Sequence, residues 1–309
     1  VDFSELLQVS ADLSLHGCAV VPEYLDEHVL ANAAEECRAL LDRSEGQTGR
    51  HPDSWDEICN AGNVSEVLAQ LVMDPVTVAL AALQLGPDIE LASSGEVDRK
   101  RRRSEQSQCG WHTDFTWMPF VRRPRPFFWL TVYFFLTDVT EDSGPLWVVP
   151  GSHRWAAEPN DAILRWNDLG NHLPGVKSLT GRAGSVMLFN NEIWHRSPPN
   201  TSDADRLVMR TQFKPAWMKA WGHGSLGPRG ALMAIDQPYA RQLTGTLAYD
   251  DVPWEYGDDA TYARFPVVAW LEGQGLLDRA ALEQHRQPAE LTRSLISEWD
   301  AGRALDPRT

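Results

Sequence analysis

The sequence predicts an α+β, mainly β protein, with helices gathered ahead of a sandwich or jelly-roll core and further chain beyond it. Three observations carry this. Residues 1–88 hold long stretches with apolar residues at helical spacing, whereas 89–213 change to short runs rich in Val, Phe, Trp and Thr. Turn clusters such as Asp142-Ser-Gly-Pro, Pro150-Gly-Ser and Gly181-Arg-Ala-Gly separate those runs. No repeat and no low-complexity linker divides the chain, so helices followed by spaced strands read as one domain over 1–309.

The elements follow in order. Leu15 to Pro22 reads as a short strand ended by proline. An amphipathic helix then runs from Leu25 to about Asp42, with Leu30, Ala33, Cys37, Leu40 and Leu41 near helical spacing. Val64 to Leu85 is helical with a break at Asp74-Pro75, where proline fits the first turn of a new helix, and Gly86-Pro87 stops it. Strands are expected at Ile89–Ser93, Trp129–Leu136, Trp147–Val149, Ser185–Phe189 and Leu207–Phe213. The extension over 214–309 is irregular after Trp217, loops from Gly222 to Gly230, and closes on a helix over about Leu277 to Trp299.

Composition excludes several classes of protein. The chain has 309 residues, 43% hydrophobic and 23% charged, which is globular rather than disordered. Its net charge of −15 repels polyanions and disfavours a nucleic-acid partner. Cys18, Cys37, Cys59 and Cys109 form no C-x-x-C pair, a pattern of reduced thiols rather than a disulfide scaffold or zinc site. The apolar run Phe127 to Leu136 is about half a membrane-spanning helix. No basic and apolar leader opens at Val1, so the expectation is a cytoplasmic protein without a membrane partner. Thirteen Trp is an excess over packing needs, and indole suits pockets as well as cores.

The most specific feature is Trp111-His-Thr-Asp-Phe115. In an extended segment residues i and i+2 point the same way, so His112 and Asp114 converge. His195 follows a strand in Phe189-Asn-Asn-Glu-Ile-Trp-His. Two imidazoles and one carboxylate, with the other positions open, describe the facial triad of non-haem Fe(II). A lone His-x-Asp also occurs as a hydrogen-bonded loop pair. Arg206 strengthens the metal reading, because a buried guanidinium is costly unless its planar fork meets an acid. The competing reading of Arg206 is an ion pair with Asp203 or Asp205.

Together these residues resemble the phytanoyl-CoA dioxygenase family of Fe(II)- and 2-oxoglutarate-dependent oxygenases. The resemblance runs from about Gly17 to Phe213. It includes Gly17-Cys-Ala-Val-Val-Pro-Glu-Tyr-Leu-Asp, Trp111-His-Thr-Asp, Gly144-Pro-Leu-Trp-Val-Val-Pro-Gly-Ser-His153, Gly184-Ser-Val-Met-Leu-Phe and His195-Arg-Ser-Pro-Pro-Asn-Thr-Ser. It implies a double-stranded β-helix, the cupin-like jelly roll, with iron held by His112, Asp114 and His195 as metal ligands and catalytic residues. It also implies that Arg206 and Ser197 bind the distal carboxylate of 2-oxoglutarate, with Tyr133 lining that pocket. O2 is the second cosubstrate, succinate and CO2 are released, and a carboxylate at Asp114 favours hydroxylation over halogenation. Desaturation, epoxidation and ring formation are alternative outcomes at the same centre. A non-catalytic 2-oxoglutarate or metal sensor is the alternative of another class. Relatives often add a Lys or Gln from the strand before His-x-Asp. Here Lys100 to Arg103, Gln106 and Gln108 all compete for that place.

The expected partner is a small molecule, with a specialised metabolite favoured by the aromatic content. Phe115 and Trp117, just after Asp114, are the expected substrate wall, while Trp217 and Trp221 could belong to a lid. Arg99 to Arg103 and Arg122, Arg123 and Arg125 flank the motif. They read equally as a rim steering an anionic substrate, with Arg122 and Arg123 touching it, or as surface charge paired with the abundant acids. His153 reads as a local packing or hydrogen-bonding residue, and Gly144 and Gly151 as turn formers.

Overall fold

The structure, a computed structural model, describes residues 3–43, 54–104, 109–115, 123–156, 175–219, 228–247 and 265–276. Helix α1 (Phe3–His16) comes first, where the sequence reading placed no element before the strand at Leu15, and it precedes β1 (Cys18–Val21). The amphipathic stretch forms α2 (Glu27–Arg43), and the Asp26 carboxylate caps it by accepting from the His28 and Val29 amides. β2 (Trp55–Cys59) was not anticipated. The break at Asp74-Pro75 separates α3 (Glu66–Val72) from α4 (Pro75–Leu85), with Ser65 and Asp74 as the side-chain caps.

The strands are β3 (Ile89–Lys100), β4 (Cys109–His112), β5 (Leu130–Phe135), β6 (Leu146–Val149), β7 (Lys177–Leu179), β8 (Val186–Asn190), β9 (Trp194–Ser197) and β10 (Arg206–Pro215). Two short helices follow, α5 (Ala240–Leu243) and α6 (Pro266–Gly273), in the stretch expected to be irregular. The expected closing helix over 277–299 and most of the loop over 222–230 lie outside the described residues.

Two antiparallel sheets face each other in the jelly-roll arrangement. The larger runs β1-β8-β5-β10-β3-β2 and the smaller β4-β9-β6-β7. Strand alternation sorts the side chains of the large sheet. On β5, Leu130, Val132 and Phe134 join Leu207, Met209 and Phe213 of β10 in the core beneath the helices. Each such side chain contributes roughly 1.5–3 kcal/mol by leaving water. The intervening residues, Thr131, Tyr133 and Phe135 on β5 and Arg206, Val208, Arg210 and Gln212 on β10, line the cavity between the sheets. Polar residues therefore occupy one face of strands whose other face is apolar, which is what a site inside a barrel requires.

The run Glu66–Leu85 has the length and hydropathy to cross a membrane. Pro75 divides it, and Leu68, Ala69, Val72, Val78, Ala79 and Leu80 are spent on the core beneath the large sheet.

Candidate active site

The site is assembled by one strand pairing. β4 and β9 run antiparallel with His112 directly opposite His195, and the ring centroids lie 4.2 Å apart. Asp114 follows β4 two residues after His112 and reaches the same point. Its Oδ1 is 3.4 Å from Nε2 of His112 and 3.4 Å from Nε2 of His195. Ligand atoms from the three residues lie within 4.8 Å of one another.

The backbone decides which ring nitrogens face the centre. Nδ1 of His112 is 2.8 Å from the Gly110 carbonyl, and Nδ1 of His195 is 2.8 Å from the Ile193 carbonyl. A carbonyl only accepts, so each Nδ1 carries a hydrogen and each Nε2 faces the centre. This is the outer hydrogen bonding that metal-bound imidazoles use. Burial raises the Asp114 carboxyl's affinity for its proton, but positive charge and hydrogen bonding at the His195 and His112 rings outweigh it and hold the group well below the ordinary carboxylate range. Asp114 is therefore ionised throughout the neutral range. Two imidazoles and one carboxylate fit a divalent iron, whose charge would take the place of that positive charge.

A relay that sequence reasoning missed fixes the carboxylate. The Asn191 amide donates to Oδ2 of Asp114 at 2.5 Å, leaving Oδ1 to the imidazoles. Thr131 Oγ1 donates to Asn191 Oδ1 at 2.8 Å, and Gln212 Nε2 donates to Thr131 Oγ1 at 3.0 Å. The doublet Asn190-Asn191 before His195 was its only visible signal.

The described residues enclose a cavity of about 250 Å³ that runs from the triad to Arg206. Phe135, Val139, Leu146, Leu179, Met187, Phe189 and Val208 make its apolar walls. Arg206, Ser197 and Tyr133 all line it. The Arg206 guanidinium donates to the Gly144 carbonyl, its Nε is buried without a partner, and it forms no ion pair among the described residues. The competing acids are engaged elsewhere: Asp203 pairs with Arg103, and Asp205 accepts from the Arg102 amide. Burial lowers the Arg206 pKa, so the cation is held in a place that penalises it and would gain from an anion. Burial likewise pushes the Tyr133 phenol up to about 12. Tyr133 stacks on Phe189, with centroids 6.0 Å apart, and accepts from Arg210 at 3.2 Å.

Of the competing residues before the motif, Lys100 is the one the fold brings to this end. It lies opposite Arg206 in the β3–β10 register, is buried, and donates to Ser197 Oγ and to the Pro198 carbonyl, each at 2.5 Å. Gly144, at φ 74°, permits that approach, since a Cβ there would stand 2.7 Å from Lys100 Cδ. Gln106 and Gln108 lie outside the described residues.

Several expectations fail, for clear physical reasons. Phe115 does not line the cavity: it lies in the turn after β4 and packs into a cluster with Trp129 and Met218, its ring 5.7 Å from Trp129. Arg123 is not at a rim. It is 7% exposed, donates to the Ser152 and Glu192 carbonyls at 2.9 and 2.6 Å, and shares the buried Glu192 carboxylate with Arg125. In the other basic cluster Arg99 and Arg101 pair with Asp56, so for these side chains the paired reading of the charge prevails. Trp117, Arg122 and Trp221 lie outside the described residues, and Trp217 is 70% exposed, edge-on to Phe128. His153 forms a hydrogen bond, but not within its own turn: it reaches the Ser14 carbonyl of α1 at 3.1 Å.

Comparison with known proteins agrees with this geometry. Solved structures of similar fold include HygX of Streptomyces hygroscopicus with nickel and 2-oxoglutarate bound, at 17% identity and TM-score 0.58 over 72% of this chain and 94% of that one. An ectoine dioxygenase of Bordetella bronchiseptica is 30% identical over 208 residues, 58% of this chain and 65% of that protein. An L-proline trans-4-hydroxylase of Streptomyces griseoviridis is 30% identical over 166 residues, 47% of this chain and 61% of that protein. The match thus spans somewhat less than two thirds of either curated relative. The profile of the phytanoyl-CoA dioxygenase (PhyH) family matches residues 13–208, the stretch that carries the triad and Arg206, and the chain belongs to that family.

Proposed function

We propose that the chain is an Fe(II)- and 2-oxoglutarate-dependent oxygenase that hydroxylates a small molecule, a specialised metabolite, in the cytoplasm. The observation that carries this is the meeting of the His112 and His195 Nε2 atoms, whose rings are oriented by backbone carbonyls at Nδ1, with one oxygen of Asp114. His112, Asp114 and His195 would hold the iron, and Arg206, with Ser197 and Lys100 beside it, would hold the far carboxylate of 2-oxoglutarate.

When bound, the iron and its 2-oxo acid supply oxygen activation, with succinate and CO2 as by-products and a hydroxyl on the substrate. The chain's own residues supply position and dryness. Arg206 offers a desolvated cation to the carboxylate, and Ser197 a hydroxyl oriented by Lys100. Tyr133 keeps its phenol proton at neutral pH, so no second anion competes in the pocket. The apolar walls exclude water from the space between Arg206 and the triad. Asp114 occupies one metal position with a carboxylate, which supports hydroxylation rather than halide transfer. A cavity of about 250 Å³ supports a small substrate, and the relatives named for ectoine and L-proline support that class. Free Cys18, Cys37 and Cys59 support a reducing compartment.

The test is turnover of 2-oxoglutarate without substrate. Fe(II) is added anaerobically, oxygen is admitted, and succinate is measured. The reading expects slow succinate release that requires both iron and oxygen, and a metabolite screen for faster release then identifies the substrate. No release above the metal-free control, together with no 2-oxoglutarate binding, overturns it.

A further inference from the structure

The donor relay behind Asp114 ends on a side chain that faces the cavity. Gln212 of β10 lines it together with Thr131, His112, Asp114 and His195. It lies opposite Thr131 on β5, and its Nε2 donates to Thr131 Oγ1 at 3.0 Å. On its other side the pairing of β10 with β3 shifts register just before Gln212 and again just after it. Such irregularities re-aim a side chain and recur beside active sites.

The ionised carboxylate fixes the direction of every bond in the relay. Asp114 Oδ2 only accepts, so Asn191 turns its NH2 toward it and its Oδ1 toward Thr131. Asn191 Oδ1 also only accepts, so the single hydroxyl hydrogen of Thr131 is spent on it. Thr131 Oγ1 is then left to accept from Gln212, which must present its NH2 and turn Oε1 away. All three donors point toward Asp114, an arrangement in which each bond polarises the next. The outer end of the chain is an acceptor, Gln212 Oε1, which receives no hydrogen bond among the described residues.

Resting on the oxygenase reading above, we infer that Gln212 is a specificity-determining residue whose Oε1 accepts a hydrogen bond from a hydroxyl or amide N–H of the substrate. The bound donor extends the relay by one link, so the contact that selects the substrate also firms the hold on Asp114. An uncharged donor is the match. A neutral carbonyl oxygen does not offset the burial of an ammonium, and Arg210 presents a guanidinium to the same cavity. A molecule without the donor leaves Oε1 unpaired, which is how a hydrogen-bonding pocket rejects an analogue lacking the group.

The test uses cyclohexanol as probe and cyclohexanone as its counterpart without a donor. Each is titrated into the full chain loaded with Zn(II) and 2-oxoglutarate, where no turnover occurs. Affinity is read from the broadening of the probe's own resonances. Contact is read from the side-chain NH2 resonances of Gln212 and Asn191, assigned with Gln212→Met and Asn191→Ala. The inference expects cyclohexanol to shift both residues saturably and to bind about tenfold more tightly than cyclohexanone. Gln212→Met should lose that preference. Thr131→Val, which keeps Gln212 but cuts the relay, should still show the shift at Gln212 and lose it at Asn191. The inference is overturned if cyclohexanone binds as well as cyclohexanol, if neither probe moves Gln212, if Gln212→Met keeps the preference, or if Asn191 shifts as much in Thr131→Val as in wild type. The comparison between probes uses the wild-type chain and does not depend on a variant folding. Failure here leaves iron-dependent succinate release standing, whereas loss of that release counts against the oxygenase reading itself.

Discussion

Replacing Asn191 by alanine removes the group that holds Asp114 Oδ2 and strands the hydroxyl behind it. The carboxylate then loses its 2.5 Å donor and is free to rotate, so Oδ1 is no longer reserved for the point between the two Nε2 atoms. Losses of this kind behind a metal ligand weaken binding by about 10–100-fold, or about 1.4–2.7 kcal/mol. Thr131 Oγ1 loses its acceptor as well. Thr131 is 1% exposed, so its stranded hydroxyl costs about 1–3 kcal/mol of fold stability in addition. Competition titration of Co(II) against a chromophoric chelator reads the first effect, and urea unfolding of the metal-free chain reads the second. Thr131→Val cuts the relay one link further out, so its effect on metal should be a few-fold. The double variant should bind metal no more weakly than Asn191→Ala alone, because both act through one contact. Cobalt affinity of Asn191→Ala within twofold of wild type, in a chain that still folds, would refute the reasoning.

Three further outcomes are expected. Asp114→Ala should abolish both Co(II) binding and iron-dependent succinate release, and full activity in that variant would remove Asp114 from the ligand set. Glu192→Gln should destabilise the chain by about 3–5 kcal/mol in urea unfolding, since it breaks a buried ion pair in which one carboxylate serves Arg123 and Arg125; an unchanged midpoint would show that the pair is energetically idle. Burial raises the Cys18 thiol to about 11, the Cys59 thiol to about 12 and the Tyr133 phenol to about 12. The folded chain therefore keeps protons that the unfolded chain releases near pH 9–10, so stability is full below that range and falls as pH rises toward 11–12. A urea midpoint higher at pH 10.5 than at pH 8 contradicts those shifts.

The triad was legible in the sequence because its geometry is local. Close spacing brings His112, the last residue of β4, and Asp114, in the turn after it, to one point, and His195 on the paired β9 completes the set. Phe115, the next residue of that turn, points instead into the cluster with Trp129, a direction that strand periodicity does not give. Charge was harder to read. Arg99, Arg101, Arg123 and Arg125 stand close to the motif in sequence, yet their partners are Asp56 and Glu192, which only the fold brings near. The same is true of β2: its residues Trp55 to Cys59 carry two acids and little alternation, and they become a strand because β3 offers an edge to pair with. Asn191 was invisible for a further reason. It is ordinary by type, and only the atom it faces gives it a role.

The placing of Lys100 opposite Arg206 bears on how the proposed cosubstrate end is made. Like charges directly across a strand pair are destabilising, and both of these are buried in the same end of the barrel. Lys100 is supplied with Ser197 Oγ and the Pro198 carbonyl, whereas Arg206 is given the Gly144 carbonyl and an Nε with nothing. Neutral acceptors cannot cancel two cations, and Asp98, the next residue on that face of β3, is shared with Arg210 and does not outweigh the burial of Arg206. A dicarboxylate supplies what is missing, and it stabilises the folded chain by the usual mass-action link between binding and folding. The triad adds to the same polarity, because a divalent ion there attracts the other carboxylate of the same molecule. The charge of −15 therefore describes the molecule as a whole but not this end of the barrel, where Lys100 and Arg206 stand side by side.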